Sequence, residues 1–303
     1  MITDTFAYWG YSIGWSTVRK MPDKRAYAMF RRLADQAWRR HGPSVRQYEK
    51  NLRRVLPNAS ENEIRQVSRD GFHSYAHYWC DAFRMPDWPR SRILNLQVEG
   101  LEHIDQAVAD GGKLVFVGPH GGNYDHGAAF VAQRYGSLTT VAERLKPYRL
   151  FEKFVTFREQ LGMEVLGFGT GDLVGTLVDR VESGRIVGLV GDRDLSRHGI
   201  PVSFFGEPTR MPAGAALVAR RTGATLLAVN FFYRDGEPAA TVFDPIPVPT
   251  SGTEEDDIRT ITQSIAGRFE LGISEHPSDW HMLQPLWLAD LDPDRLARTE
   301  SRS

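Results

Sequence analysis

LVFVGPHGGNYDHG, residues 114–127, holds the turn on which the reading of the fold depends. Leu114, Val115, Phe116 and Val117 form an apolar run with strand character, and it stops at Gly118. Pro119 biases Gly118 away from the helical region. Gly121 and Gly122 permit a tight turn and a close approach of another chain. A helix then starts around Asn123, which puts Asp125 in its first turn, where the helix dipole favours a carboxylate. Positions five apart on a helix differ by about 140° and share no face. His120 and Asp125 can therefore meet only if the histidine precedes the helix, on the turn.

The same strand–turn–helix pattern repeats outward from this stretch. KLVFVG, SLTTVAE, MEVLGF, RIVGLVG, ATLLAVNFFYR and AATVFDPIPV read as strands. Helices separate most of them: one from about 122, one from about 147, then DLVGTLVDRVESG and PAGAALVARRTG, with Pro212 suited to a first turn. RDGEP reads as a hairpin turn, and residues 254–271 as a last amphipathic helix. These units predict an α/β fold with a largely parallel central sheet flanked by helices. Ligands of such sheets sit beyond the carboxyl ends of the strands, where GPHGGNYD and GDRDLSRHG both fall. Residues 1–92 read as helical, with a capping box from Ser60 to Glu63 and stops near Pro57 and Pro86. The expected organisation is a helical, membrane-associating region (1–92), an α/β core (93–285) and a frayed tail (286–303), within one domain.

The chain has 303 residues, 41% hydrophobic and 25% charged, enough for a large buried core. Its one cysteine, Cys80, precludes an internal disulfide framework and fits a reducing compartment. No window approaches the ~18 apolar residues of a membrane span, and the N-terminus lacks the pattern of a signal peptide. The net charge of −1 hides an uneven distribution: residues 19–54 hold 12 Lys/Arg against 3 acids. Phe6, Tyr8, Trp9, Tyr11 and Trp15 precede or border this basic region. Aromatic rings at headgroup depth beside clustered cations suit an anionic membrane surface. A solvated helix face or a nucleic-acid surface would share the charge pattern; the membrane reading is preferred, with no nucleic acid as partner.

His120 on a turn, with a carboxylate on its other nitrogen, can take a proton from an attacking hydroxyl. Amides of the glycine turn could hold an oxyanion. No serine or cysteine nucleophile pattern accompanies the histidine, so the natural nucleophile is a hydroxyl on a second substrate, which describes direct acyl transfer. Taken alone, H-x4-D is a weak motif, better explained by a loop histidine beside a first-turn acid. G-P-H-G-G-N does not match a dinucleotide fingerprint. A metal at His120, Asp125 and His126 would lack a second ligand cluster, so none is expected.

The motif is followed by AERLKPYRLFEKFVTFREQLGMEVLG and by GLVGDRDLSRHGIPVSFFGEPTRMPAGAALVARRTGATLLAV. In this order the stretches resemble the bacterial lipid A biosynthesis (late) acyltransferases, over most of residues 5–285. Within that family the chain is most similar to the actinobacterial phosphatidylinositol mannoside branch. Asp125 stands where the lipid A branch usually has Glu, and Asp192-Arg193-Asp194 where it usually has Gln between its acids. Tyr124 replaces a frequent Trp. The chain also lacks the transmembrane helix usual in the lipid A branch. The resemblance implies a membrane-associated acyltransferase moving a long, palmitoyl-like acyl group from acyl-CoA, or acyl carrier protein, to a mannose hydroxyl. The acceptor would be a phosphoinositol glycolipid, with a lipid A-type precursor or a non-enzymatic lipid-binding role as alternatives. It implies His120 as general base with Asp125 as partner, and Asp192 and Asp194 across the site. Arg158 would bind the donor beside His120, and the oxyanion would be held by turn amides or by Arg158; Glu143 and Arg193 would hold the acceptor. No metal or redox cofactor is implied. The expected place is the cytoplasmic face of the inner membrane, attached peripherally.

Overall fold

The computed structural model describes residues 14–144, 148–169, 171–194 and 199–291. Residues 14–20 are helical and lead into α1 (Asp23–Arg39), α2 (Pro43–Val55) and α3 (Glu61–Arg84). The capping box starts α3: Ser60 Oγ accepts from Glu63 N, and the Glu63 carboxylate accepts from Ser60 N at 2.7 Å. Ala34, Val45, Tyr48, Leu52, Ile64 and Phe72 form a small core of their own between these helices. Arg31, Arg32, Arg39 and Arg40 are exposed on α1 and just past its end. Trp15 differs from the expectation for the interfacial aromatics: it is buried, and its indole N–H donates to Phe83 O at 2.9 Å. Phe6, Tyr8, Trp9 and Tyr11 lie outside the described residues. No helix of the described residues is long and apolar enough to cross a membrane.

The α/β core follows. Its elements are β1 (Gln97–Glu99), α4 (Leu101–Ala109), β2 (Leu114–Gly118), α5 (Tyr124–Tyr135), β3 (Leu138–Ala142), α6 (Tyr148–Gln160), β4 (Met163–Gly167), α7 (Leu173–Glu182) and β5 (Val187–Val190). Then come a hairpin of β6 (Ile200–Phe204) and β7 (Glu207–Met211), α8 (Gly214–Thr222), β8 (Thr225–Arg234), β9 (Glu237–Val242) and α9 (Glu254–Glu275). Seven strands make the main sheet in the order β1-β9-β8-β2-β5-β3-β4, with every pairing parallel except β8–β9. Strand alternation splits the core between two faces. Val115 and Val117 pack with α7, α8 and α9, while Leu114 and Phe116 pack with α5 and α6. The strands expected from the sequence are present. β1, β6 and β7 were not anticipated, and Pro212 lies just before the capping residue Ala213 rather than in the first turn of α8.

The chain stays packed beyond the expected start of the tail. Residues 277–287 cross the carboxyl-end side of the sheet as a strap. Leu286 and Trp287 are buried, and Trp287 donates to Phe204 O at 2.9 Å. Asp290 pairs with Arg54 at 2.8 Å. Residues 292–303 lie outside the described residues.

Candidate active site

β2 and β5 are parallel neighbours in register, Gly118 beside Val190. The chain leaves both strands at the same level, and Gly191 N donates to Gly118 O at 2.9 Å. His120 and Asp192, each the second residue past its strand, therefore arrive side by side although 72 positions separate them. His120 Nδ1 lies 2.6 Å from Asp192 Oδ1, and His120 N donates to Asp192 Oδ2 at 3.0 Å. The indole N–H of Trp280 donates to the same Oδ2 at 2.9 Å. Asp192 has no exposed surface. Burial alone would raise its carboxyl; the charge of His120 and the hydrogen bonds from His120 and Trp280 outweigh that and hold it below the usual carboxylate value. An ionised Asp192 only accepts, so Nδ1 carries a hydrogen, and in the neutral ring Nε2 keeps its lone pair. No partner among the described residues holds Nε2, and the His120 side chain is 37% exposed. The ring is thus set to accept a proton from an arriving hydroxyl.

This corrects the expected partner. Asp125 does lie in the first turn of α5, and His120 does precede the helix, but the Asp125 carboxylate faces elsewhere. Arg158 Nε donates to its Oδ1 at 2.8 Å, and Arg158 Nη2 to its Oδ2 at 3.2 Å. Tyr78 from α3 donates to Oδ2 at 2.9 Å. The Tyr78 and Tyr124 hydroxyls lie 2.7 Å apart, and the Tyr124 ring stands edge-on to His120 at 5.9 Å. Arg158, expected at the donor, is thus committed to Asp125 in a buried ion pair that joins α5 to α6.

The glycines of the turn make close approaches. Gly122 has φ +47°, and a Cβ there would lie 2.4 Å from Phe231 C. Its amide donates to Asp279 O at 2.8 Å. With Gly122 N on the strap and His120 N on Asp192, neither amide is available to an oxyanion, which narrows the donors expected of this turn. Asn123 caps α5: its Oδ1 accepts from His126 N at 3.0 Å, and its Nδ2 donates to buried Asp81 at 2.9 Å.

The other expected residues fall around the same end of the sheet. Glu143 follows β3 and Arg193 follows β5, with 3.9 Å between their charged groups. Asp194 accepts from Gly199 N at 2.8 Å, just before β6. His126 hydrogen-bonds Ile93 O at 2.9 Å, and burial pushes its ring down to about 4. His281 lies under the turn, its backbone N donating to His120 O at 2.7 Å and its ring held neutral by burial, down to about 3. Trp280, His281 and Tyr78 were missed as site residues. Their only sequence signal was the aromatic run DWHML far from the motif and the helix YAHYWCDAF.

Comparison with known proteins gives the family. The family model described as bacterial lipid A biosynthesis acyltransferase matches residues 1–289. A phosphatidylinositol mannoside acyltransferase of Mycobacterium tuberculosis (strain CDC 1551 / Oshkosh) is 40% identical, covering 99% of this chain and 95% of the relative. One of the same description from Mycolicibacterium smegmatis is 40% identical over 95% of this chain and 94% of the relative.

Proposed function

The chain belongs to the bacterial lipid A biosynthesis acyltransferase family and is an acyltransferase; from this premise we propose that it acylates a mannose hydroxyl of a phosphatidylinositol mannoside, using long-chain acyl-CoA. The acceptor follows the similarity to the mycobacterial enzymes, whose names carry that lipid. The observation that carries the mechanism is the His120–Asp192 pair at 2.6 Å, at the carboxyl ends of two central strands.

His120 Nε2 removes the proton of the sugar hydroxyl as its oxygen attacks the thioester carbonyl. A C–O bond forms and a tetrahedral oxyanion appears. The C–S bond then breaks, and the leaving thiolate takes the proton back from Nε2. Asp192 stays ionised throughout and stabilises the imidazolium. Atoms and charge balance with the two substrates alone, so the reaction as written calls for no metal or redox group. Glu143 and Arg193, beyond β3 and β5, would meet the polar acceptor. Asp194 would accept from Gly199 N before β6, and Asp125 with Arg158 would fix the start of α5. The exposed arginines of α1 would hold the protein against an anionic membrane surface, in keeping with peripheral attachment at the cytoplasmic face.

The test mixes the protein, or its His120→Ala variant, with palmitoyl-CoA and a mannosylated phosphatidylinositol, and follows free CoA and acylated lipid by mass spectrometry. Wild type should form acylated lipid and the variant should not. Equal transfer by both would remove His120 as base; no transfer by wild type would remove this acceptor. Separately, Arg31, Arg32, Arg39 and Arg40→Gln should weaken binding to anionic vesicles at low salt, with the difference shrinking as salt rises. Unchanged binding at low salt would remove the electrostatic attachment.

A further inference from the structure

We infer that Trp280 is a positioning residue for the His120 base, acting through Asp192. This inference rests on the reading of His120 as base. Trp280 is 1% exposed, and a buried indole N–H needs an acceptor. Trp287, its neighbour in the strap, uses a backbone carbonyl, whereas Trp280 uses the Asp192 carboxylate, at 2.9 Å. Asp192 Oδ2 is thereby held from two sides, by the indole and by His120 N at 3.0 Å. A carboxylate pinned at Oδ2 cannot swing, so Oδ1 keeps its direction toward His120 Nδ1. Without the indole, Oδ2 would retain one bond and the carboxylate could turn about it.

The backbone places the indole there. Trp280 stands opposite Gly121 in an antiparallel bridge. On one side Gly122 N donates to Asp279 O at 2.8 Å; on the other His281 N donates to His120 O at 2.7 Å. Gly121 allows this approach, because a Cβ there would lie 2.9 Å from Asp279 O. The strap is in turn tied to the helical layer. Asn51 of α2 donates to Met282 O at 2.7 Å, and Ser74 of α3 donates to Asp279 Oδ1 at 2.5 Å. The turn, the strap and Asp192 form a closed ring of hydrogen bonds around His120, and the Trp280 N–H is the bond that closes it.

Among the described residues, three ionisable groups face His120 from the surrounding elements: Asp192 beyond β5, Tyr124 on α5 and His281 on the strap. Burial raises the Tyr124 phenol and lowers the His281 imidazole to about 3, so both stay neutral near pH 7. Asp192 is the charged group of the three, and sharing its charge with the indole moderates its pull on the imidazolium.

The experiment replaces Trp280 in the full chain with β-(3-benzothienyl)alanine, which keeps the ring shape and lacks the N–H, and separately with Phe. Transfer from palmitoyl-CoA to a mannosylated phosphatidylinositol is read across pH. The expected result is a kcat lower by roughly 10- to 100-fold, the range for losing a hydrogen bond to a charged group. KM for both substrates should hold within about twofold. The acid limb of kcat should move to higher pH, because Asp192 then acts on His120 undivided. In an Asp192→Asn background the isostere should cost nothing further. An isostere variant with wild-type kcat, an unmoved acid limb, or the same fold-loss on the Asp192→Asn background would overturn the inference. If the Phe variant fails to fold, the isostere carries the test. Transfer surviving in His120→Ala would instead sink the base reading itself; a dead His120→Ala beside an active isostere sinks only the role of Trp280.

Discussion

Asp192 and Asp125 are both carboxylates with almost no exposed surface, and both lie within reach of the turn that carries His120. Their partners differ. Asp192 faces an imidazole that is 37% exposed, while Asp125 faces a guanidinium that is 15% exposed and sealed in with it. An imidazole can give and take a proton near neutral pH; a guanidinium cannot. The first pair can therefore serve chemistry directly, and the second can hold only geometry and charge. Closeness in sequence favours Asp125, five residues from His120. The register of β2 against β5 favours Asp192, and register prevails.

Substitutions can break this contrast. Asp192→Asn should lower kcat by about 10³-fold, or about 4 kcal/mol of barrier, because an amide no longer fixes the tautomer or stabilises the imidazolium. Its thermal cost should be the smaller of the two, since the side chain left behind is 37% exposed to water. Asp125→Asn should act the other way and strand a buried guanidinium, which costs about 3–5 kcal/mol. Thermal unfolding followed by circular dichroism should show a fall of roughly 5–8 °C, taking about 1.6 °C per kcal/mol for a chain of this length. Replacing both members, Asp125→Leu with Arg158→Met, should recover most of that loss, because no unpaired charge remains. If Asp125→Asn unfolds at the wild-type temperature, the structural reading of that pair fails. Tyr78→Phe should have the smallest effect: one hydrogen bond to a carboxylate, about 1.5–3 kcal/mol, and a melting shift of about 2–5 °C. A Tyr78→Phe melting point unchanged from wild type would remove this phenol from the account.

Much of this site was legible in the sequence, but not its pairing. Gly118-Pro119 and the two glycines placed His120 on a turn, because local sterics decide that much. Strand character at 114–118 and 187–190 was visible in apolar β-branched runs. What the sequence did not contain was the order of the strands: β5 inserts between β2 and β3, and this alone sets Asp192 beside His120. Asp125 was chosen because spacing is the only distance a sequence offers. Trp280 and Trp15 show the same limit. Each is an aromatic residue in an amphipathic context, and its partner, Asp192 or Phe83, lies more than 60 positions away. The β6–β7 hairpin shows the same limit: its strands owe their place to packing on α9 and Trp287.

The most direct measurement is the pH dependence of kcat for Asp192→Asn and Asp125→Asn, side by side with wild type. Depressed as it is by its partners, the Asp192 carboxylate remains ionised as pH falls until well below the range in which an imidazole gains its proton. The acid limb then reports protonation of His120. Removing the negative charge beside Nδ1 makes that protonation harder, so Asp192→Asn should move the limb to lower pH along with its loss of kcat. Asp125→Asn should leave the limb where wild type has it. A limb that moves with Asp125→Asn and stays fixed with Asp192→Asn would contradict the account and return the catalytic partnership to the carboxylate nearest in sequence.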